Sequence, residues 1–199
     1  MSANDLISAI RDHGWYYDPA FLAPELCAQL RYEVFHSEEI MLTGAGIGRQ
    51  LNAQENKSIR SDKTHWLDGS TLPQTAFLTI MEDLQQSLNE ELFLGLFSYE
   101  CHYALYEPGA FYRKHFDSFE GRRNRILSTV IYLNEDWLPT SGGELLLFSR
   151  EDQLLNTIHP LGGSAVFFLS EEFPHEVLPA KLPRGSIAGW FRLREMVSF

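Results

Sequence analysis

Apolar positions recur at helical spacing in the first half of the chain and alternate in short runs in the second. Asn4 and Asp5 predict the cap of a short helix running through Arg11, and Gly14 stops it. Trp15 to Tyr17 suits a brief strand. Pro24 opens a second helix, predicted to run to about Glu38, with Leu26, Leu30 and Val34 on one face. Pro73 opens a third, TAFLTIMEDLQQSLNEELF. Residues 44–62, between the second and third helices, are too polar for a core and too long for a turn. Loops of that kind are commonly lids or binding loops.

From Ser98 the texture becomes short aromatic and β-branched runs: SYECHYALYEPG, FYRKHFD, ILSTVIYLNED, GELLLFS, SAVFFLS, HEVLPA and GSIAGWFRLRE. Pro-Gly, Gly-Gly and Pro-Arg-Gly steps separate them. Several short strands at such spacing predict a β-sandwich or barrel. The expected fold class is α+β and mainly β. One domain over residues 1–199 is expected, with a helical part at 1–95 and a β core at about 96–195.

Composition narrows the role. With 44% hydrophobic and 22% charged residues, the chain is an ordinary globular one. Its net charge of -11 argues against nucleic acid as a main partner. No basic segment followed by an apolar run opens the chain, and no apolar stretch approaches the ~20 residues that cross a bilayer. Cys27 and Cys101 form no metal or disulfide pattern and are read as buried, reduced thiols. A cytoplasmic protein without a membrane partner is expected.

Two H-x-[DE] pairs occur, His36-Ser37-Glu38 and His115-Phe116-Asp117. On a helix, residues two apart point to different sides, so His36 and Glu38 read as a solvated helix end. On a strand, residues two apart share a face, so His115 and Asp117 converge. A lone histidine is more commonly structural, but His175 follows the SAVFFLS run and begins another strand, where it can bring a third ligand. Two histidines and a carboxylate on one face suit iron(II) with open positions. Arg184 stands nine residues beyond His175, and its planar fork pairs with a carboxylate. A 2-oxoglutarate chelating the metal through its 2-oxo acid end has a distal carboxylate that Arg184 can hold, with Tyr132 as a second donor.

These residues carry a resemblance. Tyr106-Glu-Pro-Gly-Ala-Phe-Tyr112-Arg-Lys-His115-Phe-Asp117, Ile131-Tyr132-Leu-Asn134, Ser141-Gly-Gly-Glu-Leu145 and the His175 to Arg184 step resemble the prolyl 4-hydroxylase branch of the 2-oxoglutarate oxygenases. Within it, IRSDKTHWLDG and NEDW look like segments of the hypoxia-inducible-factor prolyl hydroxylases. The likeness runs from about residue 40 to 195. It implies a double-stranded β-helix (jelly-roll or cupin-like), iron(II), 2-oxoglutarate, O2 and, in many members, ascorbate. It implies that Tyr132 and Arg184 bind the distal carboxylate, that Tyr106 lines the cofactor pocket and that Trp190 packs beside it. Arg60 and Asp62 are expected to pair at the base of a substrate flap, and Arg125 to belong to the opposite rim. Two departures stand out: Ile131 replaces a tyrosine of the animal enzymes, and SFEGRRNR after Asp117 replaces their Asn-Pro-containing turn.

The expected reaction is hydroxylation of a proline in a protein or peptide, with release of succinate and CO2. A translation factor such as elongation factor Tu is one candidate. Hydroxylation of a free amino acid or other small molecule, and an oxygen- or iron-responsive binding role, remain as alternatives; oligomeric state and oxygen affinity stay open. Other features read as structural. His13, His65, His102 and His159 lack matching partners, and Gly44-Ala-Gly46-Ile-Gly48 lacks the dinucleotide spacing. Arg122, Arg123 and Arg125 are either a solvated loop or a substrate rim.

Overall fold

The computed structural model describes residues 3–37, 40–45, 59–118 and 124–194. Three helices precede most of the strands: α1 (Ala3–His13), α2 (Pro24–His36) and α3 (Leu72–Leu92). α1 begins before Asn4, so Asn4 and Asp5 lie inside it; Asp5 places a negative charge in the first turn, where the helix end is positive. Gly14 closes the helix at φ +77, and its N–H donates to the Ala9 and Ile10 carbonyls. α2 stops at His36, short of the expected end, and Glu38 lies outside the described residues. It buries Cys27, Leu30, Glu33 and Val34, while Leu26 is only half-buried. α3 starts one residue before Pro73, capped by the Thr71 hydroxyl, which accepts from the Gln74 N–H at 3.3 Å.

The strands are β1 (Trp15–Asp18), β2 (Thr43–Gly44), β3 (Lys63–Trp66), β4 (Ser98–Tyr106), β5 (Tyr112–His115), β6 (Arg125–Tyr132), β7 (Leu145–Phe148), β8 (Leu154–Ile158), β9 (Ala165–Leu169), β10 (His175–Val177) and β11 (Arg184–Arg192). They form a seven-stranded sheet, in the order β1-β9-β6-β11-β4-β3-β2, and a four-stranded sheet, β5-β10-β7-β8. All pairs are antiparallel. The expected barrel is thus two open sheets in a jelly-roll-like arrangement.

Alternation along the large sheet explains its two faces. Cys101, Tyr103, Leu127, Ile131, Phe167, Ile187 and Phe191 pack on the helices with Leu30, Phe77 and Met81. The intervening Val130, Tyr132, Val166 and Phe168 meet Leu145, Leu147 and Ile158 of the small sheet. Beside that inner core a cavity opens between the sheets. Segment 59–61 hydrogen-bonds to the free edge of β5: the Arg113 N–H donates to the Ile59 carbonyl at 2.9 Å and the Ser61 N–H to the Phe111 carbonyl at 3.1 Å. β3 follows at once and pairs with β4, so this stretch spans both sheets at the cavity mouth.

Candidate active site

His115 is the last residue of β5 and His175 the first of β10, and they face each other in the β5–β10 register. Asp117 lies past the strand end, in a bend, so the same-face strand argument places His115 but not Asp117. The three still converge. His115 Nε2 lies 3.5 Å from Asp117 Oδ1, His175 Nε2 lies 3.7 Å from Oδ2, and the three ligand atoms fall within 4.8 Å of one another.

Each histidine is fixed from behind. Nδ1 of His115 lies 2.8 Å from the Arg113 carbonyl, and Nδ1 of His175 lies 3.3 Å from that of Phe173. A carbonyl can only accept, so each Nδ1 carries a proton and each Nε2 is the nitrogen turned towards Asp117. Burial and the neighbouring His115 push the His175 pKa down to about 4, against the pull of Asp117. The imidazole is therefore neutral and able to ligate. Burial opposes the charge of Asp117, but His175, His115 and the Ser128 hydroxyl outweigh it and hold the carboxylate well below its usual range. This donor set, two imidazole nitrogens and one carboxylate, fits iron(II).

The triad lies on one wall of a cavity of about 820 Å³. Arg184, which opens β11 rather than preceding it, is 1% exposed on another wall. Its Nε donates to the Gly143 carbonyl at 2.9 Å and its Nη1 to the Ser186 hydroxyl at 3.3 Å, while Nη2 has no partner. Tyr106 and Tyr132 flank the guanidinium, whose carbon lies 4.9 and 5.2 Å from their ring centres, and the buried Tyr132 hydroxyl is also without a partner. Among the described residues no carboxylate pairs with Arg184. A buried cation beside an orphaned hydroxyl is costly unless a ligand completes it, and a carboxylate fits both donors. Gly143 makes the approach possible: it sits at φ +75, and a Cβ there would lie 3.1 Å from Arg184 Cδ.

At the mouth, Arg60 and Asp62 form the expected pair, with Nε and Nη2 donating to the two carboxylate oxygens at 2.8 and 2.6 Å. The Arg60 guanidinium carbon lies 4.4 Å from the centre of the Tyr112 ring, which stacks on His115 with centroids 3.6 Å apart. Arg125 donates to Glu100 at 2.9 and 3.1 Å and lies 3.6 Å over Trp190, so it builds the cavity wall. Trp190 lines the cavity. His102, read from sequence as structural, lines it too, between Trp66 and Trp190. Its place on β4 in step with Ala104 and Tyr106 was the available signal. His36 is exposed at its helix end, while residues 46–58, Arg122 and Arg123 lie outside the described residues. Cys27 and Cys101 are buried and unbridged. No helix among the described residues is long and apolar enough to cross a membrane.

The family model of the 2OG-Fe(II) oxygenase superfamily matches residues 101–192. A prolyl-4-hydroxylase from Pseudomonas putida is 38% identical over 96% of this chain and 100% of its own, with a TM-score of 0.88. The chain belongs to the 2OG-Fe(II) oxygenase superfamily. Within this superfamily it is a 2-oxoglutarate-dependent dioxygenase of the prolyl 4-hydroxylase branch, using iron(II), 2-oxoglutarate and O2. Two more distant structures share the fold. A Trichoplax adhaerens prolyl hydroxylase, solved with a hypoxia-inducible-factor peptide fragment, is 23% identical (TM-score 0.79) and covers 96% of this chain and 88% of its own. The viral collagen prolyl hydroxylase of Paramecium bursaria Chlorella virus-1 is 18% identical (TM-score 0.64), covering 92% and 98%.

Proposed function

We propose that this dioxygenase hydroxylates a proline within a protein or peptide. His115, Asp117 and His175 hold iron(II), and Arg184 with Tyr132 holds the distal carboxylate of 2-oxoglutarate. The observation that carries this reading is Arg184 Nη2, without a partner, on the wall of the cavity that holds the triad, with the orphaned Tyr132 hydroxyl on the ring beside the guanidinium. Iron(II), 2-oxoglutarate and O2 together supply an oxygen atom for a C–H bond, while 2-oxoglutarate leaves as succinate and CO2.

The chain's own residues orient and shield that chemistry. Tyr106 walls the inner cavity. Ile59, Trp66, Tyr112 and Trp190 give the mouth an apolar, aromatic lining. Arg60 and Arg125 also line it, but each is tied to a carboxylate. A prolyl ring, apolar and without an N–H, suits such walls, whereas a free amino acid needs partners for both its ammonium and carboxylate. Arg60 and Asp62 anchor the end of the segment expected to fold over the peptide, and Arg125 holds Trp190 opposite. The full-length likeness to a prolyl-4-hydroxylase supports the same substrate.

The test incubates the enzyme with iron(II), 2-oxoglutarate and proteins from cells lacking it, translation factors included. Mass spectrometry then maps oxygen gain. The reading expects hydroxyproline in equal amount to the succinate released above background. Succinate that tracks only an added free amino acid, with no proline modified in protein, would overturn it.

A further inference from the structure

The strand ladder holds His115 and His175, but it does not hold Asp117, which lies two residues beyond the end of β5. What fixes this carboxylate comes from the other sheet. Ser128, on β6, donates its hydroxyl to Asp117 Oδ2 at 2.7 Å. Ser128 Oγ in turn lies 2.8 Å from Ser170 Oγ, just past the end of β9.

The direction of this chain follows from proton counting. A hydroxyl has one proton to donate. That of Ser128 goes to the carboxylate, which can only accept. Ser170 must therefore donate to Ser128, and the order is Ser170 to Ser128 to Asp117. Both serines are buried, at 1% and 0% exposure. Two hydroxyls carried this far from water are stable only while bonded. The β6–β9 ladder, in which Ser128 faces Phe168, and the bond from the Ser170 N–H to the Ile126 carbonyl bring the pair together.

We propose that Ser128, oriented by Ser170, is the positioning residue that sets how Asp117 meets the metal. By bonding Oδ2, it fixes the plane in which the carboxylate faces His115 and His175. A carboxylate free to turn can grip a metal with both oxygens and close a position that 2-oxoglutarate or O2 needs. The backbone carbonyls behind the histidines and the serine behind Asp117 thus perform parallel tasks. This inference rests on the triad reading proposed above.

The test is anaerobic titration of the metal-free protein with iron(II) against a chromophoric chelator, with melting of the metal-free protein alongside. Ser128→Ala is expected to weaken iron binding by ~10-fold or more, and Ser128→Thr, which keeps the hydroxyl, to retain native affinity. Ser170→Ala is expected to weaken it less, and to add nothing in the Ser128→Ala background, because its effect runs through Ser128. A purely structural role would shift melting in each variant without this pattern. Native affinity in Ser128→Ala, or a Ser170→Ala loss that persists in full in the double variant, would overturn the proposal. Should Ser128→Ala fail to fold, native affinity in folded Ser170→Ala decides against it and a loss supports it. Asp117→Ala separates the two readings. Iron retained there overturns the triad, whereas iron lost there but kept in Ser128→Ala overturns the positioning role alone.

Discussion

Arg184 shows most directly how a buried residue can keep a donor to spare. Its guanidinium is buried, two of its nitrogens are bonded, and the third is left open beside the Tyr132 hydroxyl. Arg184→Ala is expected to weaken 2-oxoglutarate binding by about 2–5 kcal/mol, since the ligand carboxylate loses its charged partner. Arg184→Lys should also be impaired, because a point charge cannot reproduce the fork, and iron binding should survive both. Calorimetric titration with 2-oxoglutarate checks this; unchanged affinity in Arg184→Ala refutes it. His102 carries a pH dependence. Burial, then the charge of Arg60, pushes its pKa down to about 4, with Arg125 adding to the shift and Asp62 and the Tyr103 carbonyl opposing it. The unfolded imidazole titrates near 6.5. Between those values the unfolded chain binds the extra proton, so stability is full above about pH 6.5 and falls towards pH 4, by up to roughly 1.4 kcal/mol per unit. Urea unfolding at pH 7 and pH 5 should show a smaller loss in His102→Met than in the native chain. Equal losses would refute this account.

Among the elements, α2 and the start of α3 are joined to the large sheet through one buried carboxylate. Glu33 of α2 accepts from the Thr71 hydroxyl at 2.6 Å, the Gln74 amide at 3.2 Å and the Tyr103 hydroxyl at 2.6 Å, which joins α2, the start of α3 and β4. Glu33→Ala strands the buried Gln74 and Tyr103 donors, at about 1–3 kcal/mol each. A drop of at least about 2 kcal/mol in unfolding free energy is expected. A change below ~0.5 kcal/mol, the size of an inert surface substitution, would remove Glu33 from this role. The same scale shows where periodicity reads well and where it does not. β4, β6, β9 and β11 alternate or run apolar because both faces are covered, and their sequences announce them. β8 is an edge strand, largely exposed, and β3 is four half-polar residues held by pairing with β4, so neither has a pattern of its own. Glu33 gives no local sign either, since its partners lie 38, 41 and 70 residues away.

For the whole molecule, the site exists only where two sheets meet. His115, His175, Leu145 and Val177 come from the small sheet, and Tyr106, Tyr132, Arg184 and Trp190 from the large one. Residue type and spacing marked the helices, most strands, the H-x-D pair, the distant histidine and the arginine nine residues beyond it. Those signals are local: side-chain period follows backbone geometry, and ligand chemistry is written in residue type. The Arg60–Asp62 pair was legible for the same reason, its members being two residues apart. Packing across the chain settled the rest. It arranged the strands as two open sheets, brought His102 to the cavity wall and turned Arg125 onto Trp190. It placed Asp117 beyond its strand, held by Ser128 and Ser170 from residues 11 and 53 positions away. These depend on which strands become neighbours, and that is fixed by burying apolar faces across the whole chain, a non-local condition that no short window of sequence contains.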